Sequence, residues 1–209
     1  MYEPSGHAAG GGDFFGIWRL ETGAVAVLVG DVSGKGIEVA AISAMVRFFA
    51  EARTYDSDDP AAVIGQTNRL LHGRLPGTAF VPTVMLVIGD RSLRWCNAGH
   101  TPPVVLAAGG GERELHGTGL PLGVEETGEY TAEDAPLGPG DVVFACTDGL
   151  TEARREGVQF GDVRLPALLA EHARTSPLDE LVTLLQREAE AWAPTLDDDM
   201  VILALRRRQ

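Results

Sequence analysis

The chain has 209 residues, enough for one sizeable hydrophobic core and few for two. Its 17 basic and 30 acidic side chains leave a formal net charge of -13, which repels phosphate backbones and anionic membrane surfaces, so neither nucleic acid nor membrane is an expected partner. Hydrophobic residues make up 44%, too many for a disordered chain, and 26 glycines call for many tight turns.

Met1–Gly12 has neither the basic region nor the apolar stretch of a signal peptide, and no apolar run approaches the ~18–20 residues of a membrane span. The first predicted strands are Phe14–Leu20 and Ala24–Gly30. The second is a continuous apolar run bounded by glycines, the pattern of a buried strand. A helix follows over Ile37–Arg53, with Val39, Ile42, Val46 and Phe49 on one face. Asp59-Pro60 reads as N-cap and first turn of a second helix that turns Val63, Thr67, Leu70 and Leu71 inward. Strands are then predicted at Phe80–Gly89, Ser92–Asn97, Val104–Ala107, Arg113–His116 and Asp141–Thr147, with a Gly-rich turn at Ala107–Glu112. A helix is expected over Asp162–Arg174. Ser176-Pro177 caps another to about Trp192, with Asp179 at the capping-box position and Leu178, Leu181, Val182, Leu185 and Ala189 as its apolar stripe. Met200–Leu205 is the last strand, followed by the basic tail Arg206–Arg208.

No internal repeat or linker interrupts this order, so residues 1–209 read as a single domain. Neighbouring strands joined by short turns imply antiparallel sheets with helices packed outside, an α+β layered architecture. Cys96 and Cys146 form no zinc spacing and lie in apolar runs. They are expected as buried free thiols, which fits a reducing cytoplasm.

Four aspartates share one context. Asp31 ends AVAVLVG, Asp148 ends VVFACT, Asp198 within the Asp197–Asp199 triplet opens MVILAL, and Asp13 opens FFGIW. Taken singly, each reads first as a turn or cap aspartate. Together at one end of the sheets they would concentrate negative charge that only a cation offsets. Oxygen ligands without thiols or paired histidines select Mg²⁺, Mn²⁺ or Ca²⁺ over zinc. Two such ions would make a hydroxide nucleophile from bound water and polarise a phosphoryl oxygen. Gly30–Gly36 is not a P-loop: its glycines are too closely spaced, and Gly36 stands where Ser or Thr must follow the lysine.

These residues resemble the PPM metal-dependent protein phosphatases of the SpoIIE/RsbU-like branch over nearly the whole chain. Gly11–Phe15 is similar to the GGDFY motif, and Gly30–Gly36 to the GDVSGKG motif. Asn97–His100 with Pro102 is similar to NAGHxP, Thr147–Ala153 to TDGLTEA, and Asp198–Met200 to DDM. The resemblance implies an αββα sandwich of two antiparallel sheets flanked by helices. It implies hydrolysis of phosphoserine or phosphothreonine on a protein, with two Mn²⁺ or Mg²⁺ ions and a metal-bridging hydroxide. By position, Asp31 would bridge the metals, the Val32 carbonyl would add a ligand, Asp148 and Asp198 would hold the other metal, and Asp13 would act through metal-bound water. Asp199 takes the role of Asp198 if the register slips by one. The implied substrate is a phosphorylated regulator such as an anti-sigma-factor antagonist.

Gly16 stands where the branch usually has a second acid. The chain opens almost at the first motif, so the strand that family domains carry upstream is expected to be missing, and an upstream sensor domain is common in the branch. Lys35 would meet substrate phosphate or sit solvated in its loop. His100 reads as a structural turn residue before it reads as a general acid. The helix pair resembles the branch's regulatory helices and equally reads as core cover. A catalytically weak phosphoprotein-binding module is the alternative function, motivated by Gly16. A metal-dependent nuclease is disfavoured by the charge.

Overall fold

The structure, a computed structural model, describes residues 2–3, 11–34, 37–77, 79–117, 119–193 and 198–208. In chain order its elements are β1 (Tyr2–Glu3), β2 (Phe14–Arg19), β3 (Val25–Gly30), α1 (Ile37–Arg53), α2 (Pro60–Leu71), β4 (Thr83–Ile88), β5 (Ser92–Ala98), β6 (Val104–Leu106), β7 (Glu112–Glu114), β8 (Glu133–Pro136), β9 (Val142–Cys146), α3 (Asp148–Thr151), β10 (Arg154–Arg155), β11 (Val158–Gln159), α4 (Phe160–His172), α5 (Leu178–Trp192) and β12 (Met200–Arg206). They fall into two compact units. The N-terminal unit comprises Ala8–Pro102 and Leu115–Leu137, and the C-terminal unit comprises Pro103–Glu114 and Gly138–Gln209 with Met1–His7.

The N-terminal unit carries the sheet β2-β3-β4-β5-β8, antiparallel throughout. Strand β3 lies between β2 and β4 and is buried along its length, as its unbroken apolar run requires. Ala26, Leu28, Met85 and Cys96 of the sheet join Val39, Ile42, Val46 and Ala50 of α1 and Val63, Ile64 and Leu71 of α2 in one core. Each of the Val, Leu, Ile and Met side chains among them contributes roughly 1.5–3 kcal/mol by leaving water. The expected cap of α2 is present: the Asp59 carboxylate accepts the Ala61 N–H at 3.4 Å.

The C-terminal unit carries the sheet β1-β12-β9-β6-β7, also antiparallel. Phe144, Ile202, Leu150, Phe160, Leu165, Leu169, Leu181 and Leu185 form its core under α4 and α5. Phe160 meets Trp192 edge to face, with ring centroids 6.2 Å apart.

Several expectations need correcting. Strand β4 starts at Thr83 rather than Phe80, because Pro82 has no N–H to donate to a ladder; Val81 makes only an isolated bridge with Leu122. Strand β8 has no apolar pattern, only Ala135 buried, and is held by pairing to β5 and by the two-pronged Arg94–Asp134 ion pair at 2.9 and 3.0 Å. The β10–β11 hairpin turns through Glu156 and Gly157, both at positive φ. Helix α5 starts after Pro177 with no side-chain cap, so Ser176 is not its N-cap; the Ser176 carbonyl accepts from Arg206 instead. On α2, Ile64 and Asn68 take the inward place expected of Leu70, which is half-buried. Strand β1, upstream of the first motif, pairs Tyr2 with Val201 and Glu3 with Met200. Both cysteines are free and buried. No helix of the described residues is long and apolar enough to cross a membrane.

Candidate active site

Asp13 precedes β2 and Asp31 follows β3. Because Phe14 pairs with Gly30, the antiparallel register sets the two aspartates side by side, with carboxylate oxygens within 4.8 Å of one another. Asp13 is buried and Asp31 half-buried. The glycines around them are places of close approach. A Cβ on Gly30 would meet the Phe14 ring and the Pro82 carbonyl. One on Gly12 would collide with the Asp31 carboxylate and lie 2.6 Å from the Val32 carbonyl oxygen. The Val32 N–H donates to the Gly12 carbonyl at 3.1 Å, and the Ser43 hydroxyl of α1 reaches the same oxygen at 2.9 Å. The Asp31 N–H donates to the Pro82 carbonyl at 3.1 Å. Lys35 lies outside the described residues.

In the C-terminal unit Asp148 is the first residue of α3, after the N-cap Thr147. The Thr147 hydroxyl does not cap the helix. It accepts the Val201 N–H at 2.8 Å, while the Thr147 N–H donates to the Val201 carbonyl at 3.1 Å. A Cβ on Gly149 would overlap the Asp199 carbonyl oxygen, so only glycine lets these two backbones meet. Asp198 is exposed and its Oδ1 accepts the Asp199 N–H at 2.9 Å, whereas Asp199 is buried.

Burial raises the Asp148 pKa above the ordinary carboxylate value, and the charges of Asp198 and Glu152 push the same way. Asp148 Oδ1 is buried without a hydrogen-bond partner among the described residues. An unpartnered, buried carboxylate oxygen facing like charge is costly unless a cation meets it. This donor set fits a hard divalent ion. The charge of Asp198 is one of those that act on Asp148.

The Asn97–His100 turn closes on itself. Asn97 Oδ1 accepts the His100 N–H at 2.9 Å, and Asn97 Nδ2 donates to the His100 carbonyl at 3.0 Å and the Leu115 carbonyl at 3.2 Å. His100 is 7% exposed, its Nδ1 is 2.8 Å from the Thr101 carbonyl, and burial lowers its pKa to about 4. It is a neutral turn residue near pH 7. At Gly16 the space for a side chain is taken: a Cβ would lie 2.7 Å from the Trp18 ring and 3.2 Å from Arg47 Cγ. Sequence reasoning did not single out Thr147, Ser43, Gly12 or Gly149. For the glycines, the signal is a Gly beside a strand-end Asp. For the hydroxyls nothing local marks them.

The comparisons place this arrangement in a known fold. The SiaA PP2C domain of Pseudomonas aeruginosa superposes with a TM-score of 0.81 at 25% identity, covering 94% of this chain and 80% of that one. The structure of the RsbU and RsbW domains of Rv1364c from Mycobacterium tuberculosis gives a TM-score of 0.80 at 27% identity, over 99% of this chain and 58% of that one. The fold is α+β and PP2C-like, with antiparallel sheets flanked by helices. The family model described as Stage II sporulation protein E matches residues 21–208, and the chain belongs to that SpoIIE family. It is similar to a curated protein named phosphoserine phosphatase RsbU from Bacillus subtilis (strain 168), 24% identical over 185 residues. That match covers 87% of this chain and 55% of the relative, so the chain spans about half of the relative's length.

Proposed function

We propose that the two units make one phosphatase domain that removes phosphate from phosphoserine or phosphothreonine in a regulatory protein, such as an anti-sigma-factor antagonist. Asp31, the Val32 carbonyl, Asp148 and Asp198 would hold two Mn²⁺ or Mg²⁺ ions, with Asp13 acting through water and Asp199 taking the place of Asp198 if the register slips by one. When bound, such ions neutralise charge on the phosphoryl oxygens and lower the pKa of a coordinated water. This chemistry requires no nucleophilic side chain. Its part is to hold carboxylates that repel one another, with Gly12 and Gly149 keeping the backbones behind them too close to spread.

The observation that carries this reading is the buried, unpartnered Oδ1 of Asp148 beside the charge of Asp198. The name of the relative RsbU supports the substrate class. The two buried free thiols favour a reducing compartment, on which ground we place the protein in the cytoplasm.

The test is hydrolysis of a phosphoserine peptide and of p-nitrophenyl phosphate with Mn²⁺. Turnover should stop with chelator and in Asp31→Asn. Wild type without metal-dependent turnover, and indistinguishable from Asp31→Asn, overturns the reading. Gly16, whose side-chain space Trp18 fills, favours a second reading as a catalytically weak phosphoprotein-binding module. Tight phosphopeptide binding with fewer than two ions by calorimetry, and no turnover, selects it.

A further inference from the structure

Beside the Asp31 loop the N-terminal unit exposes Phe80 (40%), Leu120 (45%) and Val124 (47%). Val81 and Leu122 exchange backbone hydrogen bonds of 2.9 and 3.0 Å, an isolated bridge that has Phe80, Leu120 and Val124 all within two residues of it along the chain. Val81 and Leu122 are buried in the core, while Phe80 beside Val81 is exposed. Phe80 is tied to the site loop: the Ser33 N–H donates to the Phe80 carbonyl at 3.1 Å, and the Phe80 N–H donates to Ser33 Oγ at 3.0 Å. Ser33 is two residues from Asp31.

The far side of this patch is fixed from within. Asn68 of α2 is buried, yet its whole amide is spent on one surface loop. Its Oδ1 accepts the Gly123 N–H at 2.8 Å, and its Nδ2 donates to the Glu125 carbonyl at 2.8 Å and the Glu126 carbonyl at 3.3 Å. That clamp holds Val124 and the exposed Glu125 and Glu126 in place before any partner arrives, which lowers the ordering cost of binding.

We propose that this patch docks the phosphoprotein segment: Phe80, Leu120 and Val124 take an apolar side chain next to the phosphorylated residue, and Glu125 and Glu126 take a basic side chain farther along. The proposal rests on the phosphatase reading above. Place and charge name the occupant. Phe80 is one hydrogen-bonded step from the Asp31 loop, and the acidic rim complements a basic peptide while repelling anionic lipid and nucleic acid.

The test compares kcat/KM, with Mn²⁺, for four substrates. One phosphoserine peptide has Leu beside the phosphoserine and two Lys beyond; a second replaces the Leu by Gly; a third replaces the Lys by Glu; the last substrate is p-nitrophenyl phosphate. Wild type should prefer the first peptide over the second and third by about tenfold or more. In the Leu120→Ser/Val124→Ser double variant, the loss on the first peptide should exceed any loss on the small ester by about tenfold. Glu125→Lys/Glu126→Lys, a change confined to exposed side chains, should move the preference to the Glu peptide. Ester turnover without peptide preference, or equal losses on ester and peptide, overturns the docking surface alone. No turnover of ester or peptide overturns the phosphatase reading, and this inference with it.

Discussion

In the N-terminal unit Asp13 and Asp31 are neighbours because the strands they border are paired, Phe14 against Gly30. In the C-terminal unit Asp148 begins a one-turn helix and Asp198 lies just ahead of β12; what joins them is Thr147 bonded to Val201 and Gly149 against the Asp199 carbonyl. Both units set their acids at the ends of paired antiparallel strands, Phe14 against Gly30 in one and Cys146 against Ile202 in the other, and the C-terminal unit adds a closer backbone contact at Gly149. A ladder distributes strain over many hydrogen bonds, whereas a single close approach concentrates it. The C-terminal arrangement should therefore be easier to break at one atom.

The largest expected effect is on activity. Asp31→Asn and Asp148→Asn should each lower metal-dependent turnover by about a hundredfold or more. They should differ in stability. Asp148 is raised in pKa by burial and by neighbouring charge, so Asp148→Asn should raise the metal-free melting temperature by about 2–4 °C, read by calorimetry with chelator present. An unchanged or lower value would mean that the carboxylate is not under repulsion.

Next comes the backbone contact. Gly149→Ala should cost about 3 kcal/mol or more in urea unfolding, because its Cβ meets the Asp199 carbonyl, a backbone atom that cannot swing away. Gly12→Ala should cost less, about 1–3 kcal/mol, since the Asp31 carboxylate it meets first can rotate and the Val32 carbonyl oxygen, at 2.6 Å, is overlapped less deeply than the Asp199 carbonyl oxygen is at Gly149. Equal costs would erase the contrast between the units.

The N-terminal unit has a pH effect of its own. His100 is held at about 4 in the folded chain, against an ordinary 6.5. The unfolded chain therefore takes up the proton first as pH falls. Stability from neutral His100 is complete above about 6.5 and is lost toward about 4, on the order of 3 kcal/mol at most. Unfolding free energies of wild type and His100→Gln between pH 7 and pH 5 should converge as the pH drops; parallel curves would remove His100 from the account.

The smallest effects are at the surface ion pairs, Arg94–Asp134 in one unit and Arg164–Glu188 in the other. Arg94→Ala and Arg164→Ala should each cost less than about 1 kcal/mol, because both pairs are half in water. A larger loss at Arg94 would show that β8 depends on its ion pair more than on its ladder.

Much of the fold was legible because burial wrote itself as period. Helix α1 runs from Ile37 to Arg53 as its apolar spacing predicts, and β3 and β9 follow their unbroken apolar runs. Strand β8 was not legible. Glu133, Asp134 and Pro136 carry no strand pattern, and only the partner β5 makes a strand of them. Ser176 misled for a related reason: a polar residue before a helix predicts a cap, but Pro177 takes the position and leaves the helix without a side-chain cap.

The site divides in the same way. The sequence by itself determined which carboxylates border buried strands, because apolar runs ending in Gly-Asp or Thr-Asp are local patterns. It also carried the five segments whose resemblance pointed to the SpoIIE family, whose model matches residues 21–208. Only the tertiary structure decided that the charge of Asp198 reaches Asp148, that Gly12 and Gly149 are positions of backbone contact, and that Asn68 clamps the loop of Glu125 and Glu126. Each depends on which backbone passes within van der Waals distance of another. Residues far apart in the chain meet there, and no local periodicity encodes the meeting.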